Sequence, residues 1–202
     1  MTKLSEYDRE VAQANEQFGP IFDAYYARPI TELAKDEEAL KVGQRLFAQN
    51  CALCHGSDAG GQRGFPSLSD DDWLYGGSPE KITETLLYGR KAMMPGWIDV
   101  MGEQGIKEVT AYVLSLSNRP DLDAGLVSAG KDRFGACAAC HGMDGKGMAY
   151  VGPNIREYDD ALVMAVLKDG KKGSIGAMPS FAGRLNETQE KALAAYIRSL
   201  GE

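Results

Sequence analysis

All four cysteines and both histidines of this 202-residue chain fall in one short pattern, written twice: Cys51-Ala52-Leu53-Cys54-His55 and Cys137-Ala138-Ala139-Cys140-His141. Two thiols three residues apart on a helical turn can both reach the vinyl groups of a haem and form thioethers. The next residue then offers its imidazole to the iron. This is the c-type haem attachment signature. Other uses of the pattern fit less well. A thioredoxin-like pair needs a surrounding βαβ pattern, and none is visible. Structural zinc needs four ligands in closed spacing, whereas the pairs lie 86 residues apart. Disulfides within each pair explain neither histidine.

The motifs sit inside a longer internal repeat. Ahead of each is a helix-like run with Gly and Phe four apart, Gly43 and Phe47, then Gly130 and Phe134. After each comes a proline loop, Phe65-Pro66-Ser67-Leu68, then Gly152-Pro153-Asn154-Ile155. A Met-Pro follows in both units, at Met94-Pro95 and Met178-Pro179. Each unit closes on an apolar helix carrying Tyr112 or Tyr196, 18 residues beyond its Met.

This order resembles the class I cytochrome c domain. The resemblance implies that the first and last helices of each unit cross at a glycine, with Phe47 beside Tyr112 and Phe134 beside Tyr196. It implies that the carbonyl of Pro66 accepts a hydrogen bond from His55, and that of Pro153 one from His141, fixing each ring. The sixth iron ligand is then a methionine, whose soft thioether raises the haem potential. Met178 stands alone in its region before a proline. Met143 and Met148 lie too close behind His141, and Met164 reads as core. In the first unit Met93 and Met94 compete. Only Met94 precedes a proline, so Met93 is expected to pack. The expected ligand set is His55, Met94, His141 and Met178, with covalent attachment at Cys51, Cys54, Cys137 and Cys140. With both axial positions filled, neither iron has an open site, which favours outer-sphere electron transfer over catalysis.

The fold class that follows is all-α: two tandem class I cytochrome c domains with covalent haem, over 37–118 and 122–202, plus a helical N-terminal arm over 1–36. Helical periodicity covers 5–17, 37–50, 79–90, 103–117, 124–138, 159–168 and 187–200, and no convincing strand is seen. Asn186 with Gln189, and Ser78 before Pro79, are helix starts. Gly19-Pro20 is expected to end the arm's first helix, in which Tyr7, Val11 and Phe18 are helically spaced. Ser117–Asp121 is the expected linker, short enough that the domains should pack together. Units of roughly 80 residues have thin cores, so the cofactor should be needed for folding.

Charge narrows the partners. The net charge of −7 argues against nucleic acid. Residues 1–40 hold four basic and nine acidic residues, while 122–202 are neutral. The most apolar run, Ala161–Leu167, is far too short to span a membrane. The first thirty residues contain no apolar signal segment, so an export signal is expected upstream. Lys91 and Arg90, and Lys168, Lys171 and Lys172, are candidate partners for haem propionates or simply solvated surface. Trp73 and Trp97 lie near the haem segments, and packing against haem and loop is weighed there against a role in conduction. Asp70–Asp72 could steer a basic donor or cap the next helix.

Several stretches resemble the dihaem subunit III of cbb3-type cytochrome c oxidases: His55-Gly56-Ser57-Asp58-Ala59, Gly64-Phe65-Pro66-Ser67-Leu68, Asp72-Trp73-Leu74-Tyr75-Gly76-Gly77 and Gly89–Pro95. The arm, through Glu10–Asn15 and Gly19-Pro20-Ile21-Phe22, is similar to the segment that follows that subunit's membrane anchor. The resemblance implies two covalent haem c groups and an electron-entry subunit without a catalytic site of its own, on the periplasmic face of the inner membrane. It implies a donor cytochrome c, and a monohaem cytochrome subunit among the other oxidase subunits. The anchor that the family carries is not in this sequence. The alternatives are a free periplasmic dihaem shuttle and a dihaem peroxidase, which needs one five-coordinate haem.

Overall fold

The computed structural model describes residues 5–171 and 176–201, with the side chain of Tyr7 left out. Helices dominate: α1 (Glu6–Tyr26), α2 (Ile30–Leu33), α3 (Glu37–Asn50), α4 (Ala52–His55), α5 (Pro79–Tyr88), α6 (Ile98–Ser115), α7 (Ala124–Arg133), α8 (Gly135–His141), α9 (Asp160–Asp169) and α10 (Glu187–Ser199). Among the described residues none is long and apolar enough to cross a membrane.

Local chemistry sets most of the boundaries. Ser78 caps α5 by accepting from Lys81 N–H, with Pro79 at the first helical position. Asn186 and Gln189 close a reciprocal capping box on α10. Asp159 caps α9 through Leu162 N–H. Gly89 and Gly170 end α5 and α9 at φ +68° and +74°, values that suit glycine.

Three expectations of secondary structure need correction. Helix α1 runs through Pro20 instead of stopping there. The residues around that turn are exposed, so water can solvate the carbonyl that loses its donor. The single helix expected over 124–138 is two, α7 and α8, joined at Phe134. Two short strands exist, β1 (Arg90–Lys91) and β2 (Ala177–Met178), paired antiparallel with Arg90 opposite Met178.

The largest correction concerns the aromatic pairs. Phe47 packs on Tyr196, with ring centroids 5.5 Å apart, and Phe134 packs on Tyr112 at 5.0 Å. The expected partners are exchanged between the repeats. Helix α3 crosses α10, and α6 crosses α7. A Cβ on Gly43 would land on the Ala192 carbonyl oxygen, and one on Gly130 on the Glu108 carbonyl oxygen, so each glycine permits a crossing between repeats.

Two cores result. Core one gathers Phe47, Cys51, Ile82 and Leu86 from the first repeat with Leu193 and Ile197 from the second. Core two gathers Ile106, Val109 and Tyr112 from the first repeat with Phe134, Cys137 and Leu167 from the second. The chain leaves core one after α5, forms α6 to α9 around core two, and returns through β2 to α10. The reason lies in the connection from α6 to α7. Its few residues hold these two helices side by side, so the helix-crossing contact forms there first in sequence terms. Arg156 Nε donates to Leu116 O at 2.9 Å and Arg119 Nη2 to Tyr158 O at 3.0 Å, pinning the linker.

The arm seats on core one. Tyr26 is buried and donates to Ala39 O at 3.2 Å, and Thr188 Oγ1 donates to Asp23 Oδ1 at 2.6 Å. The cores also touch: Tyr150 N–H donates to Leu74 O at 2.7 Å and Asn154 Nδ2 to Asp72 Oδ2 at 2.5 Å. The Asp70–Asp72 run therefore caps no helix; it meets the second proline loop.

One ion pair ties the repeats across α6 and α7. Glu108 is buried and accepts from Gln104 at 3.0 Å and from Arg133 Nε at 2.5 Å. The hydrogen bonds from Gln104 and Arg133 hold its carboxyl below its ordinary pKa. A depressed carboxylate contributes stability that is present above its unfolded pKa and is lost as pH falls through the folded one. Arg133→Gln should therefore lower the melting temperature at neutral pH, and the gap to the parent chain should close on acidification through the carboxylate range. A gap that stays constant with pH would remove this pair from the acid stability.

Candidate functional site

The two Cys-x-x-Cys-His segments adopt the same local form. In the first, His55 N–H donates to Cys51 O at 2.9 Å and the turn ends at Gly56, φ +83°. In the second, α8 ends on His141 and Gly142, φ +72°. Within a turn this tight both thiols of each pair lie on one side of the helix, with the histidine next to them.

Each histidine is buried and oriented by its own proline loop. His55 Nδ1 donates to Pro66 O at 2.9 Å and His141 Nδ1 to Pro153 O at 2.9 Å. A carbonyl acceptor selects the Nδ1–H tautomer and leaves the Nε2 lone pair for a metal. The loops are drawn in by matching contacts. Gly61 N–H donates to His55 O at 2.8 Å, and Gly147 N–H to His141 O at 2.9 Å. Both glycines have positive φ and lie against the proline segment, where a side chain would clash.

No disulfide joins the four cysteines. Burial pushes the Cys51 thiol up to about 11, with Cys54 adding to the effect. Cys137 is raised for the same reasons. Redox-active Cys-x-x-Cys pairs need the opposite, a thiolate stabilised near neutral pH. Among the described residues no three His, Cys, Asp or Glu side chains converge as a metal cage.

The methionines are exchanged like the aromatics. Met178 packs against core one, where Cys51 lies, and Met94 against core two, where Cys137 lies. Each reaches the core of the other repeat because the chain crosses between cores at β1 and β2. Gly89 lies against the Met178 carbonyl and Gly170 against that of Met94, so the two Met-Pro segments are held alike. Met93, expected to pack, is 91 % exposed. Trp73 packs on core one and Trp97 on core two. Lys168 pairs with Glu103 at 2.8 Å. Lys172 lies outside the described residues. The paired glycines Gly89 and Gly170 were not singled out from sequence, although both stand directly before a basic residue on the way to a Met-Pro.

A family model described as cytochrome c oxidase, cbb3-type, subunit III matches residues 38–113 and again 126–197. The chain belongs to this family. Relatives of this subunit III agree along nearly its whole length. It is 40 % identical to the cbb3-type cytochrome c oxidase subunit CcoP of Rubrivivax gelatinosus, over 100 % of this chain and 67 % of the relative. It is 36 % identical to the subunit FixPc of Rhizobium leguminosarum bv. viciae, over 98 % and 75 %. It is 37 % identical to the subunit FixP of Bradyrhizobium sp. strain ORS 278, over 95 % and 73 %. The two segments of subunit III matched by the family follow the sequence repeats, and each contributes helices to both cores.

Proposed function

We propose that this subunit III carries two covalently attached haem c groups and passes electrons between them into its oxidase. The observation that carries the reading is a doubled one. Each Cys-x-x-Cys-His presents a buried histidine fixed at Nδ1 by a proline carbonyl, beside a core onto which a Met-Pro methionine packs. Cys51 and Cys54 would hold one haem, Cys137 and Cys140 the other. His55 through Nε2 with Met178 would hold the first group, and His141 through Nε2 with Met94 the second. The haem supplies a one-electron iron couple.

The chain's own part is to bind and to tune. Four thiols anchor the groups, and the Pro66 and Pro153 carbonyls raise the basicity of the imidazoles. The apolar cores exclude water, and thioether ligation favours a high potential. Electrons would come from a donor cytochrome c and leave through the monohaem subunit to the oxygen-reducing centre, at the periplasmic face of the inner membrane. The subunit would act by electron transfer without chemistry of its own. The names of the relatives do not favour a free shuttle.

Two measurements test this. The chain expressed with periplasmic haem attachment should retain two haems after denaturation and acid–acetone extraction. Extractable haem would rule out thioether attachment. The full-length gene product, tagged and purified from membranes, should bring oxygen-reducing activity with it. Recovery alone in the soluble fraction would make it a shuttle. If either ferric haem of the purified protein binds cyanide readily, the closed six-coordinate assignment is wrong and the peroxidase reading returns.

A further inference from the structure

Arg90 stands where the chain leaves α5 for the crossing, opposite Met178 in the strand pair. Most of its guanidinium is engaged. Nε donates to Thr85 Oγ1 at 2.9 Å, Nη1 donates to Glu84 Oε1 at 2.8 Å, and Cζ lies 4.7 Å above the ring of Tyr75. Nη2 is buried and has no hydrogen-bond partner among the described residues. A guanidinium fixed on two sides, with a third donor out of water, is built to receive an acceptor.

The second repeat has a counterpart. Lys171 follows Gly170 as Arg90 follows Gly89, and it bridges to Met94 as Arg90 pairs with Met178. Lys171 is half-buried and has no ion-pair partner among the described residues. Neighbouring Lys168, by contrast, is satisfied by Glu103. Two equivalent positions thus each set a cation next to the Met-Pro segment of one core, Arg90 with its Nη2 unpartnered and Lys171 without an ion pair among the described residues. Tyr75 and Trp73 come from the loop that packs on core one, which places Arg90 at the rim of that core and outside its apolar centre.

We infer that Arg90 and Lys171 are the anchors for the haem carboxylates, Arg90 at core one and Lys171 at core two. The inference rests on the haem reading above. The propionates are the only charged substituents of a haem. Arg90 meets its carboxylate already immobilised by Thr85, Glu84 and Tyr75, so little ordering is needed on binding. Both residues are positioning and tuning groups. A cation held at the haem edge disfavours the ferric form and raises the potential.

The test uses the holoprotein with both haems attached. Redox titration should resolve two components. Arg90→Gln should lower one by about tenfold in its reduction equilibrium, about 59 mV for a one-electron couple. Lys171→Gln should lower the other. Arg90→Lys and Lys171→Arg, which keep the charge, should restore most of each shift. The propionate bending band in resonance Raman should move in each Gln variant, an effect that loss of the Glu84 pair alone would not give. Unmoved potentials, an unmoved Raman band, or both variants shifting the same component would overturn the assignment. If the parent chain carries no thioether-bound haem, the haem reading fails and takes this inference with it. Haem present with none of these shifts sinks the inference alone.

Discussion

Met178→Ala is expected to remove the sulfur–iron charge-transfer band of the haem attached at Cys51 and Cys54, leaving that of the haem at Cys137 and Cys140 in place. Sequence order alone would give the opposite assignment, since Met178 follows His141. The packing decides it: Met178 sits on the core that contains Cys51, and Met94 on the core that contains Cys137. The affected haem should lose on the order of 100 mV of potential or more, within the roughly 0.8 V that axial ligands command. Double variants read the pairing directly. Met178→Ala with His55→Gly damages a single haem and should keep one charge-transfer band. Met178→Ala with His141→Gly damages both and should keep none. The reverse result would restore ligation within each repeat. Methyl-labelled methionine gives a check on the unmutated holoprotein, because the shifted Met178 methyl should contact side chains of core one.

The second large effect is expected at a helix crossing. Gly130→Val would drive a branched side chain into the Glu108 carbonyl of α6, with the Tyr112 Cβ 2.8 Å from the new Cβ. Overpacking costs about 1–3 kcal/mol where side chains can move aside. Here the obstacle is helix backbone, so a loss of about 3 kcal/mol is expected, lowering the melting temperature by about 6–12 °C for a chain of this size. The form of the transition matters more than its midpoint. Each repeat contributes helices to both cores, so the haem absorbance of both sites should change in one cooperative step. Two steps, one of them at the parent temperature, would show that the cores melt separately.

Much of this was legible in the sequence. Local signals were reliable where they involved side chains acting on nearby backbone. The caps at Ser78 and Asn186 act within three residues and follow from spacing, and the contacts from His55 to Pro66 and His141 to Pro153, within a dozen residues, follow from the resemblance to class I cytochrome c domains. Pro20 misled because an exposed turn can hydrate the carbonyl that a proline leaves unpaired. The strand pair escaped because two residues a side carry no periodicity. The exchange of partners escaped for a different reason. Phe47 with Tyr112 and Phe47 with Tyr196 are equally good aromatic pairs, and the repeat makes the two environments nearly equivalent. Only the short stretch between α6 and α7 separated the alternatives. That stretch was read as a sign that domains pack together, when it also dictates which helices become neighbours.

The exchanged helices also bear on descent. In a unit that folds on itself, a change at the crossing glycine of one repeat is answered within some seventy positions, inside the same repeat. Here the surface that answers position 43 lies at Ala192 and Tyr196, and the one that answers Gly130 lies at Glu108 and Tyr112. The two repeats are therefore held to each other's history. Neither can drift, be replaced or be recombined with a half from another lineage unless the other has kept the matching face. Correlated substitution across relatives should link α3 with α10 and α6 with α7.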